Sequence, residues 1–306
     1  MPKVSFQMIV FNGERHLEAV LDTLLPFGEV YVTEGPVAYY QSLGFTQSTD
    51  RTLEILHDKL PEDHIVSGQW KEKDEMMNAI RVPDDTEYVW MFDADELMYP
   101  SAIQHVMDYY LDMVDANSVS FKAWSFFGGF NRYLTGFEEE FEVHRIQRWY
   151  PGAEWATHRP PTVLDPASGK PWRMGPRHMS HAMTDRMGIR FFHYSFVWPL
   201  QMYEKAKYYH DRSQQMTIPN YFRNIWLPWV LGGNLEKKKI EEAFDGVHDW
   251  KPRYRGTCRT KVFVGAHPKV IEDSMLALQL RWSQELAQVM ERINNDTSSN
   301  HLDKAN

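Results

Sequence analysis

The chain predicts an α/β fold: a mostly parallel sheet flanked by helices, then an irregular region and C-terminal helices. Two observations predict it. Short apolar runs alternate with amphipathic helical patterns through residues 1–125. Such alternation implies a parallel-rich sheet with helices on both faces. After a Gly-, Pro- and aromatic-rich middle, residues 200–293 return to helical periodicity.

Residues 4–10 read as the first strand, and residues 14–25 as a helix with Leu17, Val20, Leu21, Leu24 and Leu25 at helical spacing. Residues 29–33 form a second strand. Ser48-Thr49-Asp50 supplies helix-capping side chains ahead of Leu53, Leu56 and Leu60, and a short strand follows at 64–67. A helix at 72–80 precedes the fourth strand, 88–92. Pro100 opens a helix to about residue 114, and 118–124 reads as a fifth strand. Residues 126–199 break into turn signals with few periodic stretches. Helices are expected at 200–215, 234–244 and 272–293, with an aromatic segment at 221–231. The last helix carries an apolar stripe of Met275, Leu278, Trp282, Leu286, Val289 and Ile293, which suits core packing. Residues 294–306 are polar and aperiodic, and a disordered tail is expected there. The divisions are therefore 1–125, 126–199, 200–293 and 294–306.

The 306 residues are 43% hydrophobic and 25% charged, a globular composition. Eleven Trp suit ring-lined grooves, with Trp124, Trp149, Trp155 and Trp172 as possible platforms for sugar faces and the other rings as core. A net charge of −9 argues against a nucleic-acid partner, since no basic stripe neutralises a run of phosphates. An anionic ligand then needs local help from a divalent ion and placed cations such as Lys73 and Arg51. The single Cys258 excludes an intrachain disulfide and suits a reducing compartment. Met1-Pro-Lys leads straight into the first strand, leaving no room for a signal peptide, and no run reaches the roughly 18 apolar residues that span a bilayer. A cytoplasmic protein without a transmembrane segment is expected.

The most informative tetrapeptide is Asp93-Ala94-Asp95-Glu96, delivered by the apolar run 88–92. Two carboxylates one residue apart at a strand end make a hard oxygen site for a divalent cation carrying a diphosphate. Charge placed directly after a buried strand needs compensation. Ligands of open α/β sheets bind beyond the carboxyl ends of the strands. Phe11-Asn12-Gly13-Glu14 follows the first strand, Glu34 the second, and Ser48-Thr49-Asp50-Arg51-Thr52 leads into the next helix. All these polar groups are thereby drawn to one edge.

Together with Lys73 and Asn78 ahead of the fourth strand, these pieces resemble the glycosyltransferases of family 2, which have the Rossmann-like GT-A fold. The resemblance rests on their order and spacing. It implies a nucleotide-sugar donor site in residues 1–125, formed by Phe11, Asn12, Glu14, Glu34, Asp50, Arg51, Lys73, Asn78 and Asp93. It implies a nucleobase acceptor in Glu34, and a Mn2+ or Mg2+ cofactor on Asp93 and Asp95. Residues 126–199 would recognise a carbohydrate acceptor. Two departures stand out: residues 35–47 intervene between Glu34 and the Ser48 segment, and Arg51 replaces a Gly.

Arg145-Ile-Gln-Arg148-Trp149 and Trp155-Ala-Thr-His158 resemble the family segment of Arg-rich strand residues before a His-Glu pair, with Arg159 in the Glu position. The general base is therefore open among Glu154, His158 and Asp165, and both inverting and retaining outcomes remain. His193, in an apolar run, stands where several GT-A enzymes complete a metal shell; His178 and His181 compete with it, and an exposed loop pair is the plainer account of those two. The sequence thus points to a metal-dependent glycosyltransferase using a UDP- or GDP-linked donor, with Asp95 central to catalysis. A sugar nucleotidylyltransferase and a non-catalytic carbohydrate- or nucleotide-binding protein are the alternatives.

Overall fold

The computed structural model describes residues 2–172, 174–213, 220–244, 246–247 and 258–302. In chain order the strands are β1 (Val4–Val10), β2 (Glu29–Glu34), β3 (Ile65–Ser67), β4 (Tyr88–Met91), β5 (Glu96–Leu97), β6 (Ser118–Phe127), β7 (Arg132–Leu134), β8 (Val143–Arg148), β9 (Glu154–His158), β10 (Pro161–Leu164), β11 (Pro171–Trp172), β12 (His178–Met179), β13 (Arg190–Phe196) and β14 (Thr260–Val262). The helices are α1 (Glu14–Leu24), α2 (Ala38–Ser42), α3 (Thr52–Lys59), α4 (Lys73–Ala79), α5 (Pro100–His105), α6 (His181–Arg186), α7 (Pro199–Ser213), α8 (Leu227–Leu231), α9 (Asn234–Ala243) and α10 (Lys269–Leu302). Two π-helical stretches, Val106–Met113 and Phe222–Trp226, continue α5 and lead into α8. The chain divides into two compact units, Met1–Ala123 with Phe141–His193 and Trp124–Glu140 with Tyr194–Asn306.

In the first unit β1 lies between β2 and β4, parallel to both, and β3 extends the parallel set beyond β2. The register sets Phe6 across from Val30 on one side and Trp90 on the other. These residues, with Val32 and Val89, are fully buried, as apolar side chains of strands covered on both faces are. Beyond β4 the direction reverses: β8 pairs antiparallel with β4, Trp90 facing Ile146, and with the start of β6, where Val119 faces Ile146. The helical stripe expected from the sequence buries Leu17, Val20, Leu21 and Leu24 of α1. A mostly parallel central sheet flanked by helices is consistent with the Rossmann-like GT-A fold.

Residues 126–199 are not irregular, as their composition suggests; they hold β7 to β13. The strand was hidden because β8 is buried on both faces and His144 and Arg145 are among its buried positions, so a pattern of apolar residues does not mark it. β9, β10 and β11 form a small antiparallel sheet whose Trp155 and Val163 pack with Met77, Val89 and Met91.

The second unit has a core of rings and aliphatics: Phe127, Phe196, Tyr221, Phe222, Trp226, Trp229 and Ile240 pack with Val289 and Ile293 of α10. Trp282 and Leu286 flank that core, as the stripe predicts. α10 runs through residue 293 to Leu302, past the point where polarity suggested that order ends; residues 303–306 lie outside the described residues. Residues 214 and 215 of the expected 200–215 helix also lie outside them. No helix among the described residues is long and apolar enough to cross a membrane.

Candidate active site

The site is built at the carboxyl end of β4. All four residues of that strand are buried, Phe92 is 2% exposed, and the chain then turns so that Asp93 and Asp95 are partly exposed while Glu96 enters β5. β8 runs antiparallel beside β4, so continuing the register past the Trp90–Ile146 pair brings Arg145 to this end. Its guanidinium donates to Glu96 Oε2 at 2.9 Å, to Glu96 Oε1 at 2.5 Å and to Asp93 Oδ2 at 3.0 Å. The fork geometry suits two carboxylates at once. The Asp93 N–H also donates to Glu96 Oε2 at 3.2 Å, closing the turn.

The electrostatics follow from that geometry. Burial works to raise Asp93, but Arg145, Arg159, Lys73 and His193 outweigh it and hold the carboxyl well below its usual range. Burial pushes Glu96 up to about 7 against the pull of Arg145, aided by Asp93 and Asp95. Burial opposes the charge of Arg145, and Glu96 and Asp93 more than restore it. Asp93 is therefore an anion embedded among cations.

β5 pairs antiparallel with β13, setting His193 opposite Glu96, and this register puts His193 Nε2 3.7 Å from Asp95 Oδ1. The donor types, carboxylate oxygen and imidazole nitrogen, fit Mn2+. Among the described residues, however, Asp93, Asp95 and His193 are not gathered as closely as another set, Glu142, His144 and His178, whose ligand atoms all lie within 4.8 Å of one another. One oxygen of Asp93 is already engaged by Arg145.

Arg159, which departs from the family pattern, lies after β9 with its guanidinium 4.0 Å from Asp93 Oδ2 and is well exposed. Lys73 opens α4 and acts on both Asp93 and His158. His158 closes β9. Its N–H and its Nδ1 both meet Asp74 Oδ1, at 2.8 and 2.5 Å. Burial lowers the imidazole from its ordinary 6.5, and Lys73 and Arg159 add to this against the pull of Asp74. Burial works to raise Asp74, yet its bonds to His158 draw it below the usual range. A neutral ring that donates from Nδ1 to Asp74 leaves Nε2 as a lone-pair acceptor.

The ends of β1 and β2 are stitched to the Ser48 segment rather than left open. The Asn12 N–H donates to Ser48 Oγ at 2.9 Å, and Asn12 Oδ1 accepts the Thr49 N–H at 2.8 Å. Asn12 takes a left-handed φ of 52°, which Asn tolerates better than most side chains. Asp50 accepts from the Glu14 N–H, the Thr52 N–H and the Thr52 hydroxyl, while Glu14 Oε2 accepts the Arg51 N–H at 2.8 Å. Asp50, one residue ahead of the Arg51 N-cap of α3, thus ties the starts of α1 and α3 together. The Arg51 side chain pairs with Glu54 at 2.6 Å, three residues on.

Glu34 is fully buried. Its Oε1 accepts the Ser48 N–H at 2.8 Å, while Oε2 makes no hydrogen bond. A ligand reaches it only if the Ser48 loop moves. The 35–47 insertion is ordered by α2: Gln41 donates to the Pro36 and Trp70 carbonyls, and Phe11 packs against Tyr40 and Phe45 at ring-centroid distances of 4.8 and 5.6 Å. An open groove of about 770 Å3 runs along Leu43 to Asp50 and Leu53.

Several other expected site residues serve the fold. Both ends of the Asn78 amide are taken by the Trp155 backbone, at 2.8 Å each. Trp155 is buried, its indole donating to Gln7 at 2.7 Å, so it is core and not a platform. Trp149 packs against it, tilted by 43°, at a ring-centroid distance of 5.2 Å, and in the second unit Trp124 meets Phe263 at 5.4 Å. The Trp172 side chain lies outside the described residues. Glu154 is exposed at the opposite end of β9 from His158. Asp165 accepts from Ala167 N–H and Ser168 Oγ, the pattern of an exposed turn. His178 and His181 are drawn to Glu142, while His193 is the histidine that faces Asp95. The sequence reading missed Asp74, whose signal was only its adjacency to Lys73, and the joint pairing of Arg145 with Glu96 and Asp93.

No family model matches the sequence, and no curated protein matches it. Among solved structures, the fold aligns with Staphylococcus aureus TarS residues 1–349 at 16% identity and a TM-score of 0.33, over 48% of this chain and 47% of that one. It aligns with mannose-1-phosphate geranyltransferase from Thermus thermophilus at 12% identity and a TM-score of 0.27, over 78% of this chain and 67% of that one. The chain thus spans about half the length of the TarS 1–349 structure it matches.

Proposed function

We propose that this chain is a glycosyltransferase, moving a sugar from a nucleoside diphosphate to an acceptor hydroxyl. The observation that carries this reading is the meeting of two partly exposed aspartates, the cations Arg145, Arg159 and Lys73, and an imidazole held by a carboxylate, all around one strand end. Those parts suit inverting transfer to a sugar hydroxyl: positive charge for a departing diphosphate, and a base for the incoming hydroxyl.

In this reading Arg159 and Lys73 grip the diphosphate, with Arg159 offering the paired N–H geometry suited to phosphate oxygens. Arg145 is internal: it neutralises Glu96 and fixes Asp93 so that the turn keeps its shape. His158 accepts the acceptor proton at Nε2, and Asp74 holds the ring in the tautomer that permits this. Asp95 and His193, with the remaining oxygen of Asp93, would hold Mn2+ or Mg2+, which supplies charge neutralisation at the leaving diphosphate. The groove along residues 43–50 is a candidate for the nucleoside.

The test is release of nucleoside diphosphate from a panel of UDP- and GDP-sugars with and without Mn2+. Wild type should at least hydrolyse one donor slowly, and Asp95→Asn should lose that signal. Donor breakdown that survives Asp95→Asn unchanged would remove Asp95 from the chemistry.

A further inference from the structure

A second constellation lies apart from Asp93 and Asp95 within the first unit. β6 is flanked there by β8 and by β12, which pairs parallel with it. The registers set Ser120 across from His144 and Ser118 across from His178. Ser118 and Ser120 are two apart on one strand, so they share a face, and both imidazoles stand on that face. Each serine hydroxyl meets the Nδ1 of its histidine at 2.7 Å. The hydroxyls therefore fix both rings and aim both Nε2 atoms elsewhere.

Both Nε2 atoms are aimed at Glu142. His178 Nε2 lies 3.1 Å from Glu142 Oε1, and His144 Nε2 lies 4.0 Å from Oε2. His181, the first residue of α6, brings its Nδ1 to 3.2 Å from Glu142 Oε1, and that nitrogen is buried without a hydrogen bond of good geometry. Glu142, His144 and His178 thus bring their ligand atoms within 4.8 Å of one another, and His181 adjoins that group through Glu142.

We propose that Glu142, His144, His178 and His181 form a binding site for a divalent transition-metal ion of the zinc type. Three neutral imidazoles and one carboxylate are the donor set such ions prefer, and harder ions such as Mg2+ prefer oxygens alone. The spacing agrees. A tetrahedral ion with bonds of about 2.0–2.1 Å has ligand atoms about 3.3 Å apart; His178 and His181 stand 3.1 and 3.2 Å from Glu142, and His144, at 4.0 Å, would close in on binding. The serine contacts are the outer hydrogen bonds that orient metal-bound imidazoles. With His181 as the fourth protein ligand the site would be closed and its role structural, pinning β12 and the start of α6 against β6 and β8. It needs no part of the transfer chemistry.

The experiment is titration of the chelator-stripped full chain with Co2+, read by its visible absorption, followed by displacement with Zn2+. One equivalent per chain with the intense spectrum of a four-coordinate nitrogen-rich site is expected, and Zn2+ should raise the melting temperature. The spectrum should persist in Asp95→Asn and vanish in His144→Gln/His178→Gln. Ser118→Ala/Ser120→Ala should weaken binding by about 10–100-fold. Should the double histidine variant not fold, as judged by circular dichroism of the stripped protein, Glu142→Gln gives the same reading. Absence of a cobalt spectrum in wild type, its survival in both ligand variants, or its loss in Asp95→Asn would each overturn the site.

Discussion

In the unit formed by Trp124–Glu140 and Tyr194–Asn306, the buried Glu241 carboxylate accepts the Trp229 indole N–H at 3.1 Å and the Thr260 hydroxyl at 2.6 Å. His267 is likewise held between the Tyr194 hydroxyl and the Phe130 carbonyl, 2.8 Å from each. In the other unit, Asp93 has Arg145 at 3.0 Å and Arg159 at 4.0 Å, with Glu96 and Asp95 beside it in the chain. Neutral groups make the hydrogen bonds named for Glu241 and His267, with Lys237 adding an electrostatic pull on Glu241. The turn after β4 concentrates charges of both signs where two aspartates remain partly exposed. Buried polarity therefore marks a functional site only where it is charged, mixed in sign and open to a ligand.

Removing Arg145 should have the largest effect, because it leaves Glu96 and Asp93 with their main counter-charge gone. Arg145→Met should cost about 3–5 kcal/mol of unfolding free energy in a denaturant titration. Adding Glu96→Leu should recover part of that loss. If Arg145→Met is neutral, the contrast between the two units dissolves.

Asp95→Asn should leave the melting curve close to wild type while donor turnover falls by about 10²–10³-fold, the loss seen when one charge-stabilising group is removed from a site. His158→Gln should lower transfer to acceptor by about 10²-fold or more, the range of a positioned base. It should spare donor binding. In kcat/KM against pH, the acid limb should lie below 6.5, since burial, Lys73 and Arg159 all favour the neutral ring. The same shift has a stability consequence: a histidine with a lowered folded pKa contributes above its unfolded value, and that contribution is lost as pH falls through the folded one. Asp74→Asn should move the limb further down, because the raising influence of Asp74 is gone. A limb above 6.5 would place a different group in the role.

The smallest effect sharpens the other side of the contrast. Glu241→Leu strands the Trp229 N–H and the Thr260 hydroxyl, and should cost about 1–3 kcal/mol of stability. Donor hydrolysis by the folded fraction should be unchanged.

β1, β2 and β4 were legible in the sequence because strands covered on both faces must be apolar, and so was the turn after β4, where Asp93 and Asp95 break such a run. Asp50 was legible as a capping side chain because capping is local. β8 was harder: Arg145 and His144 are buried there only because Glu96, Asp93 and Ser120 meet them from elsewhere in the chain. The pairing of Asp74 with His158 spans 84 residues and leaves no local trace. The Glu34 reading rested on a place after the second strand, whereas Glu34 is the last residue of β2; its burial under the Ser48 N–H depends on the path of residues 35–47, which periodicity does not describe.

Calorimetric titration of UDP and GDP into the wild-type chain and into Asp95→Asn, each with and without Mn2+, bears most directly on the role given to the strand end after β4. Nucleotide binding by wild type that strengthens with Mn2+, and a strengthening absent from Asp95→Asn, is the predicted result. Binding indifferent to Mn2+, or equally promoted by it in both proteins, would contradict the assignment.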